Sequence, residues 1–253
     1  MTMLSGTIAV FDRDIRAKLR TPWPYIEAMA DPLLLLLLFL PLVNALGPMS
    51  GLAGEDNIQW FAPGMLVLMI FTTSGFIGAG FQEERAAGSL ERMLVTPASR
   101  AAFLAGRVLR IMVIVLVQAV MIIAVTSAFG LQVPPVGALL GVALLLLLAA
   151  ALSITSLMTG LLLKDAYAFW GIIGVVYTPI IVTSGALLPM EIAPDWLHAV
   201  SRVNPLAHVI DAERALFAGD LTNPAIPLAL AITGVVAVVA TAIGVRAMNH
   251  LRA

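Results

Sequence analysis

The chain reads as an all-α membrane protein of six transmembrane helices, with an amphipathic helix before the first and short re-entrant-like helices outside the fifth. Three observations predict this class. Apolar residues make up 60% of the chain and charged residues 11%, against about 45–50% and about 25% in soluble proteins, and the mean hydropathy is +1.01. Six runs reach or approach the length of about 20 apolar residues that crosses about 30 Å of hydrocarbon. The charged residues gather between these runs rather than within them. Residues 1–253 are read as one domain.

In residues 1–24, Leu4, Ile8, Phe11, Ile15 and Leu19 recur at three- and four-residue spacing, while Asp12, Arg13, Asp14, Arg16 and Lys18 fill the other faces. This is the period of an amphipathic helix. Two placements stay open: flat in the cytoplasmic headgroup layer beside anionic lipid, or packed against the cytoplasmic ends of the spans. The segment lacks the basic start, short apolar core and cleavage site of a signal peptide. The first span is therefore expected to serve as the targeting signal.

The first span is placed at 25–46, its start crowded by Pro24, Glu27, Asp31 and Pro32 and its core the apolar run 33–40. The second covers 62–81 and the third 108–129, separated by a charged loop over 82–107 that holds four arginines and three glutamates. The fourth, 136–163, is long enough that it tilts or projects into water near Lys164-Asp165. The fifth covers 169–188 and the sixth 226–248. Gly75, Gly78, Ala79 and Gly80 in the second, with Gly171 and Gly174 in the fifth, permit close helix approach within one subunit or across a seam between two copies.

Twelve of the fourteen Lys and Arg residues fall on one side of this arrangement, before span one, after spans two and four, and after span six. Only Arg202 and Arg214 lie on the other side, among Glu55, Asp56, Glu191, Asp195, Asp211, Glu213 and Asp220. Because cytoplasmic loops retain positive charge, both termini are expected in the cytoplasm.

The segment 189–225 is the one long outer connection, and it is half-apolar. Asp195 is expected to cap a short helix through Trp196, Leu197 and Val200, and Asn204-Pro205 to start a second helix through Ile210 to Phe217 that Gly219 ends. Such helices either dip into the outer leaflet, where irregular backbone needs shielding, or form a solvent-facing cap.

Several function classes are excluded or disfavoured. A Walker A loop needs G-x-x-x-x-G-K-[ST], and the two lysines, Lys18 and Lys164, stand in no such context. Ion-coupled carriers place ionisable groups inside the bilayer, yet Glu27, Asp31, Arg110, Lys164, Asp165 and Arg246 all fall at span ends. The polar residues within spans, such as Thr72, Thr73, Ser74, Gln118, Ser153 and Ser156, read as hydrogen-bonding glue between helices. Neither Ser74 nor Ser184 has the G-x-S-x-G surroundings of a hydrolase nucleophile. There is no cysteine, the three histidines are scattered, and the basic residues form no continuous face for nucleic acid.

The run Glu83-Glu84-Arg85-x-x-Gly88-Ser89-Leu90-Glu91-Arg92-Met93-Leu94-Val95-Thr96-Pro97-x-x-Arg100, followed by Gly106-Arg107, resembles the cytoplasmic loop of ABC-2 type permeases, the membrane subunits of many bacterial ABC exporters. The resemblance extends over the whole chain, including the outer stretch from Leu188-Pro189 through Trp196-Leu197 and Asn204-Pro205-Leu206 to Arg214. It implies that a short helix in the loop docks on a separate ATP-binding subunit. Glu83, Glu84, Arg85, Gly88, Ser89, Glu91 and Arg92 are then the docking candidates, with mixed-sign charge setting register. Pro189, Trp196, Leu197, Asn204 and Pro205 mark an outer lid.

The resemblance further implies a bacterial cell-membrane location and a dimer with a second copy or paralogue. This chain would bind no cofactor itself, ATP and magnesium being used by the partner subunit. Membrane lipid and an amphiphilic substrate complete the expected partners. Trp23, Trp60, Trp170 and Trp196 sit near span ends as interfacial anchors, so no sugar-stacking track is visible. A hydrophobic drug or lipid, as for the daunorubicin-resistance type of permease, is favoured over a polysaccharide or glycolipid. A secondary carrier and a non-transporting scaffold are the rival classes.

Overall fold

The computed structural model describes residues 57–86, 88, 100–163 and 165–250, together with positions 7, 10–12, 34, 37, 38 and 41. Helices α1 (Asn57–Gly75), α2 (Ile77–Ala86), α3 (Arg100–Ala128), α4 (Pro135–Leu162), α5 (Ala166–Val182), α6 (Asp195–Ser201), α7 (Pro205–Ala218) and α8 (Ala225–His250) follow one another, with a 3-10 turn at Met190–Ile192. No strand occurs among the described residues. Among the described residues four stretches are long and apolar enough to cross a membrane: Ile58–Glu84, Leu104–Ala128, Pro135–Leu162 and Ala225–Ile243. The shorter α5 has 17 residues. The span expected at 25–46 lies outside the described residues except for Leu34, Leu37, Leu38 and Pro41, which are helical.

Helix α4 is the axis of the molecule, touching α1, α2, α3, α7 and α8. Its sequence is almost wholly apolar, as expected of a helix surrounded on most sides. Leu144, Leu145, Leu148, Ala149, Ala151 and Leu157 are buried against those neighbours. In lipid, burial of leucine brings little hydrophobic gain, so close packing and internal hydrogen bonds decide which faces meet. Small residues supply the packing. A β-carbon on Gly78 would run into the Ser156 carbonyl oxygen, and one on Gly160 would stand 2.7 Å from that of Gly78. Gly75, Gly80, Gly171 and Gly174 meet nothing within 4 Å, so among the described residues only part of the small-residue pattern is used.

The helix of the second span is interrupted at Phe76. Ala79 N–H reaches back only to the Phe76 carbonyl, at 3.0 Å. Ser156 of α4 bridges the gap: its hydroxyl donates to the Gly75 carbonyl and accepts from Gly78 N–H at 2.9 Å. A backbone break at membrane depth is thereby satisfied from within the protein, as lipid requires.

Two side-chain ties fix the ends of the bundle. Gln59 Nε2 donates to the carbonyls of Gln132, at 2.8 Å, and Phe217, at 3.1 Å, while Gln132 N–H returns a bond to Gln59 Oε1. Gln82, buried at the opposite end, donates through Nε2 to the carbonyls of Gly160 and Leu163. The start of α1, the α3–α4 connection and α7 therefore share one end. The exit of α2 and the α4–α5 connection share the other, in agreement with the alternation read from the sequence.

Two expectations need correction. The fifth span does not run to 188: α5 stops at Val182, Thr183 Oγ1 bonds the Pro179 carbonyl at 2.8 Å, and Gly185 turns the chain with φ +75°. Asp195 does not cap α6; it stands inside the first turn, after Pro194, which has no side-chain donor or acceptor to offer. Of the amphipathic segment Thr7, Val10, Phe11 and Asp12 are described, whereas Leu4, Ile8, Ile15 and Leu19 lie outside the described residues. Phe11 is half-buried, and the one buried residue of the four described is Val10. It meets the chain at Gly106, where an added β-carbon would stand 2.9 Å from Val10 Cβ and 3.0 Å from the Thr7 carbonyl. At this point the segment packs on protein.

Candidate functional site

At the Gln82 end, α2 carries the first residues of the charged loop out of the bundle. Glu83 is exposed, whereas Glu84 turns back to pair with Arg107 at the start of the third span. Arg107 is 2% exposed and its guanidinium lies 5.6 Å from the centre of the Phe81 ring. Such a charge is tolerated only with a partner and hydrogen bonds, and the Glu84 carboxylate, 23 positions earlier in the chain, supplies one. Glu84 follows the Gln82 tie by two residues and the Ser156-held Gly78 by six, so the exit of α2 is fixed on both sides.

Gly88 follows in a turn with φ +65° and open space where a side chain would stand. This left-handed conformation favours glycine over every other residue. Arg85 belongs to α2, its side chain outside the described set; Ser89, Glu91 and Arg92 also lie outside the described residues. Asp165, on the same end, caps α5 by accepting from Ala168 N–H at 2.8 Å, a start signal the sequence carried but that the expected boundary at 169 passed over.

At the other end, Asn204 and Pro205 open α7 as expected. Asn204 Oδ1 accepts from Leu206 N–H at 2.9 Å, Pro205 takes the first helical position, and Gly219 closes the helix with φ +82°. Asn204 also donates through Nδ2 to the Ile180 carbonyl at 2.7 Å and to Thr183 Oγ1 at 2.9 Å. Pro189 opens the 3-10 turn, Leu197 is half-buried, and Trp196 on α6 is 68% exposed. The five outer candidates therefore divide: Asn204 and Pro205 build the frame, and Trp196 faces outward.

Sequence reasoning did not single out the residues that pin this outer layer. Arg214 stacks 4.0 Å over the Trp60 ring, donates to the Trp60 and Gly185 carbonyls at 3.2 and 2.8 Å, and faces Asp211. Its signal was present, because one of only two arginines on an acidic, apolar outer segment needs partners. Glu213 beside it is fully buried and burial pushes its carboxyl up to about 8. Between α1 and α5, Phe71 and Tyr177 stack at 5.2 Å, Phe76 joins Tyr177 at 5.3 Å and Trp170 at 5.5 Å, and Thr72 shares a 2.7 Å hydrogen bond with the Tyr177 hydroxyl. No group of carboxylate and histidine side chains suited to a metal occurs among the described residues.

Fold and sites together define a multi-pass helical membrane protein with a braced charged loop at one end and a tied helical layer at the other. The ABC-2 type transporter family matches residues 6–218, and the chain belongs to it. A transport permease of Cyanophora paradoxa is 32% identical over 201 residues, covering 78% of this chain and 69% of the relative. The daunorubicin resistance ABC transporter permease DrrB1 of Streptomyces coeruleorubidus is 26% identical over 246 residues, covering 94% and 84%. An Escherichia coli relative named as a multidrug ABC transporter permease is 26% identical over 171 residues, with 65% of this chain but only 45% of the relative covered. Membership makes the chain an ABC transporter permease, not itself an enzyme, and implies an ATPase partner.

Proposed function

We propose that this chain is the membrane subunit of an ABC exporter that moves a hydrophobic drug, lipid or other amphiphile outward with ATP hydrolysed by a separate subunit. The observation that carries the reading is the bracing of the loop after α2. A segment that transmits force from a partner must leave a rigid support, and Gln82, Ser156 and the Glu84–Arg107 pair provide one. On this reading Glu83, Arg85, Gly88, Ser89, Glu91 and Arg92 meet the ATPase, and Glu84 holds their base in place. ATP-driven approach of two such subunits tilts α1 and α2 and lifts the outer helices. Coupling then requires each state to be favoured differently by nucleotide and substrate.

The remaining parts of the reading follow from this assignment. The span at 25–46 makes six crossings with both termini cytoplasmic in a bacterial cell membrane. A second copy or paralogue meets the sparsely covered α5, where Tyr167 is 90% and Val175 75% exposed and only Phe169 is buried. The seam of Phe71, Phe76, Trp170 and Tyr177 favours a planar apolar substrate over a glycan, since it offers ring faces and a single hydroxyl pair.

Uptake of daunorubicin into inverted vesicles containing the chain and its ATPase tests this assignment. ATP-dependent accumulation that survives an uncoupler and disappears in Gly88→Trp, with insertion intact, supports it. Accumulation driven by a proton gradient without any ATPase would instead identify a secondary carrier.

A further inference from the structure

Glu213 on α7 has no exposed surface, and neither of its carboxylate oxygens has a hydrogen-bond partner among the described residues. The carboxyl is aimed at α4: a β-carbon on Gly141 would stand 2.6 Å from Oε2, and 3.0 Å from a ring carbon of Phe217. Glycine at 141 is what leaves room for it. Among the described residues the helices packed most extensively on α7 are α1, α4 and α8. Helices α1 and α4 contain no titratable residue, and α8 has only Arg246 and His250, in its last turns. On α7 itself, His208 Nε2 bonds the Arg202 carbonyl at 2.9 Å, Asp211 is exposed, and Arg214 is directed at Asp211 and at the Trp60 and Gly185 carbonyls.

Among the described residues no donor or cation therefore reaches Glu213; an ionised carboxylate in that position is uncompensated by them, whereas the neutral acid is tolerated. A group of this cost serves no packing purpose that leucine or glutamine would not serve better. It stands on a helix that the proposed cycle must move.

We propose that Glu213 is a protonation-gated latch on the outer layer: as the neutral acid it lets α7 seat against Gly141 of α4, and release of its proton to the outer solution unseats the helix. The latch rests on the reading of 189–225 as an outer lid. Seated, the group holds its proton up to about pH 8; in water its ordinary value is 4.5. Seating is thus fully favoured below about 4.5, weakens by up to about tenfold per pH unit as pH rises, and levels off above about 8. An alkaline outer solution eases opening, and an acidic one holds the lid shut.

The chain has no cysteine, so single thiols report directly. Ala215→Cys places one on the buried face of α7 and Ala218→Cys places one at its exposed end. Both are labelled on intact cells with a membrane-impermeant maleimide between pH 5.5 and 8.5, and the ratio of their rates removes the thiol's own ionisation. The latch predicts that this ratio rises at least about tenfold across the range, and that Glu213→Gln flattens it to within about twofold. A flat ratio in the single-cysteine parent overturns the proposal, as does an undiminished rise in Glu213→Gln. Should Glu213→Gln fail to insert, Gly141→Ala replaces it: crowding of the carboxyl must raise the ratio at every pH, and an unchanged ratio overturns the latch. If Ala218→Cys is not labelled from outside, the outer placement is wrong; the same ratio with a permeant maleimide then decides the latch alone.

Discussion

Asn204 donates to the carbonyl oxygen of Ile180 at 2.7 Å, so the residue that caps α7 also secures the end of α5. One side chain thereby joins the outer layer to a span. Asn204→Ala removes both the cap and the tether, and is expected to cost about 2–3 kcal/mol, the sum of a lost cap and an unmade buried hydrogen bond. Asn204→Ser keeps a capping oxygen and loses the tether, and should fall between. Thermal unfolding in mild detergent gives the order; equal stability of all three would show that neither bond matters.

Gly78→Ala and Gly160→Ala set a β-carbon against backbone carbonyls that have no room to yield. Each is expected to destabilise the bundle by about 1–3 kcal/mol. Gly171→Ala, with open space around it, should leave the monomer as stable or gain up to about 1 kcal/mol of helix propensity. The contrast, read in one unfolding series, separates packing inside the chain from the seam proposed between copies, where Gly171→Leu and Gly174→Leu should lower only the dimer fraction.

Glu84→Ala withdraws the carboxylate from a guanidinium that is 2% exposed. Because Glu84 itself is partly exposed, the expected loss is about 1–3 kcal/mol rather than the full cost of a broken interior pair. Glu83→Ala, at an exposed position, should change stability by less than about 0.5 kcal/mol yet weaken capture of the ATPase. Unfolding and co-purification measured on the same two variants test this division of labour.

Glu213 gives the fold a pH slope of known sign. Its carboxyl is raised in the folded state, so its contribution is fully present below the ordinary value of 4.5 and is lost as pH rises towards about 8. Stability should fall by up to about 1.4 kcal/mol per pH unit in that window. Glu213→Gln should remove this part of the slope, and an identical profile in the two proteins would show that the carboxyl is not buried in solution.

Much of the bundle was legible because its signals are local. The run expected at 136–163 appears at Pro135–Leu162, and Asn204-Pro205 and Gly219 bound α7 as read, since a capping side chain, a fixed φ and a left-handed glycine act within a turn of their own position. The end of α5 was misread because its apolar character continues to Leu188, while what stops the helix is Thr183 and the distant Asn204. The α1 break at Phe76, the Arg214 contacts with Trp60 and Gly185, and the seat of Glu213 on Gly141 depend on residues far apart in sequence. No local spacing encodes such pairs. At the charged loop, composition marked the segment; the geometry of its base came from Glu84 finding Arg107.

The central claim is that the loop beginning at Glu83 couples this permease to an ATPase. A gentle-detergent pull-down of the chain from its native membrane, with partner mass and ATPase activity read on the eluate, tests it most directly. The account predicts a co-eluting protein with a Walker A loop that is lost on Gly88→Trp combined with Glu83→Lys, while the permease itself remains inserted. A chain that elutes alone, or an ATPase retained undiminished by the altered loop, would contradict it.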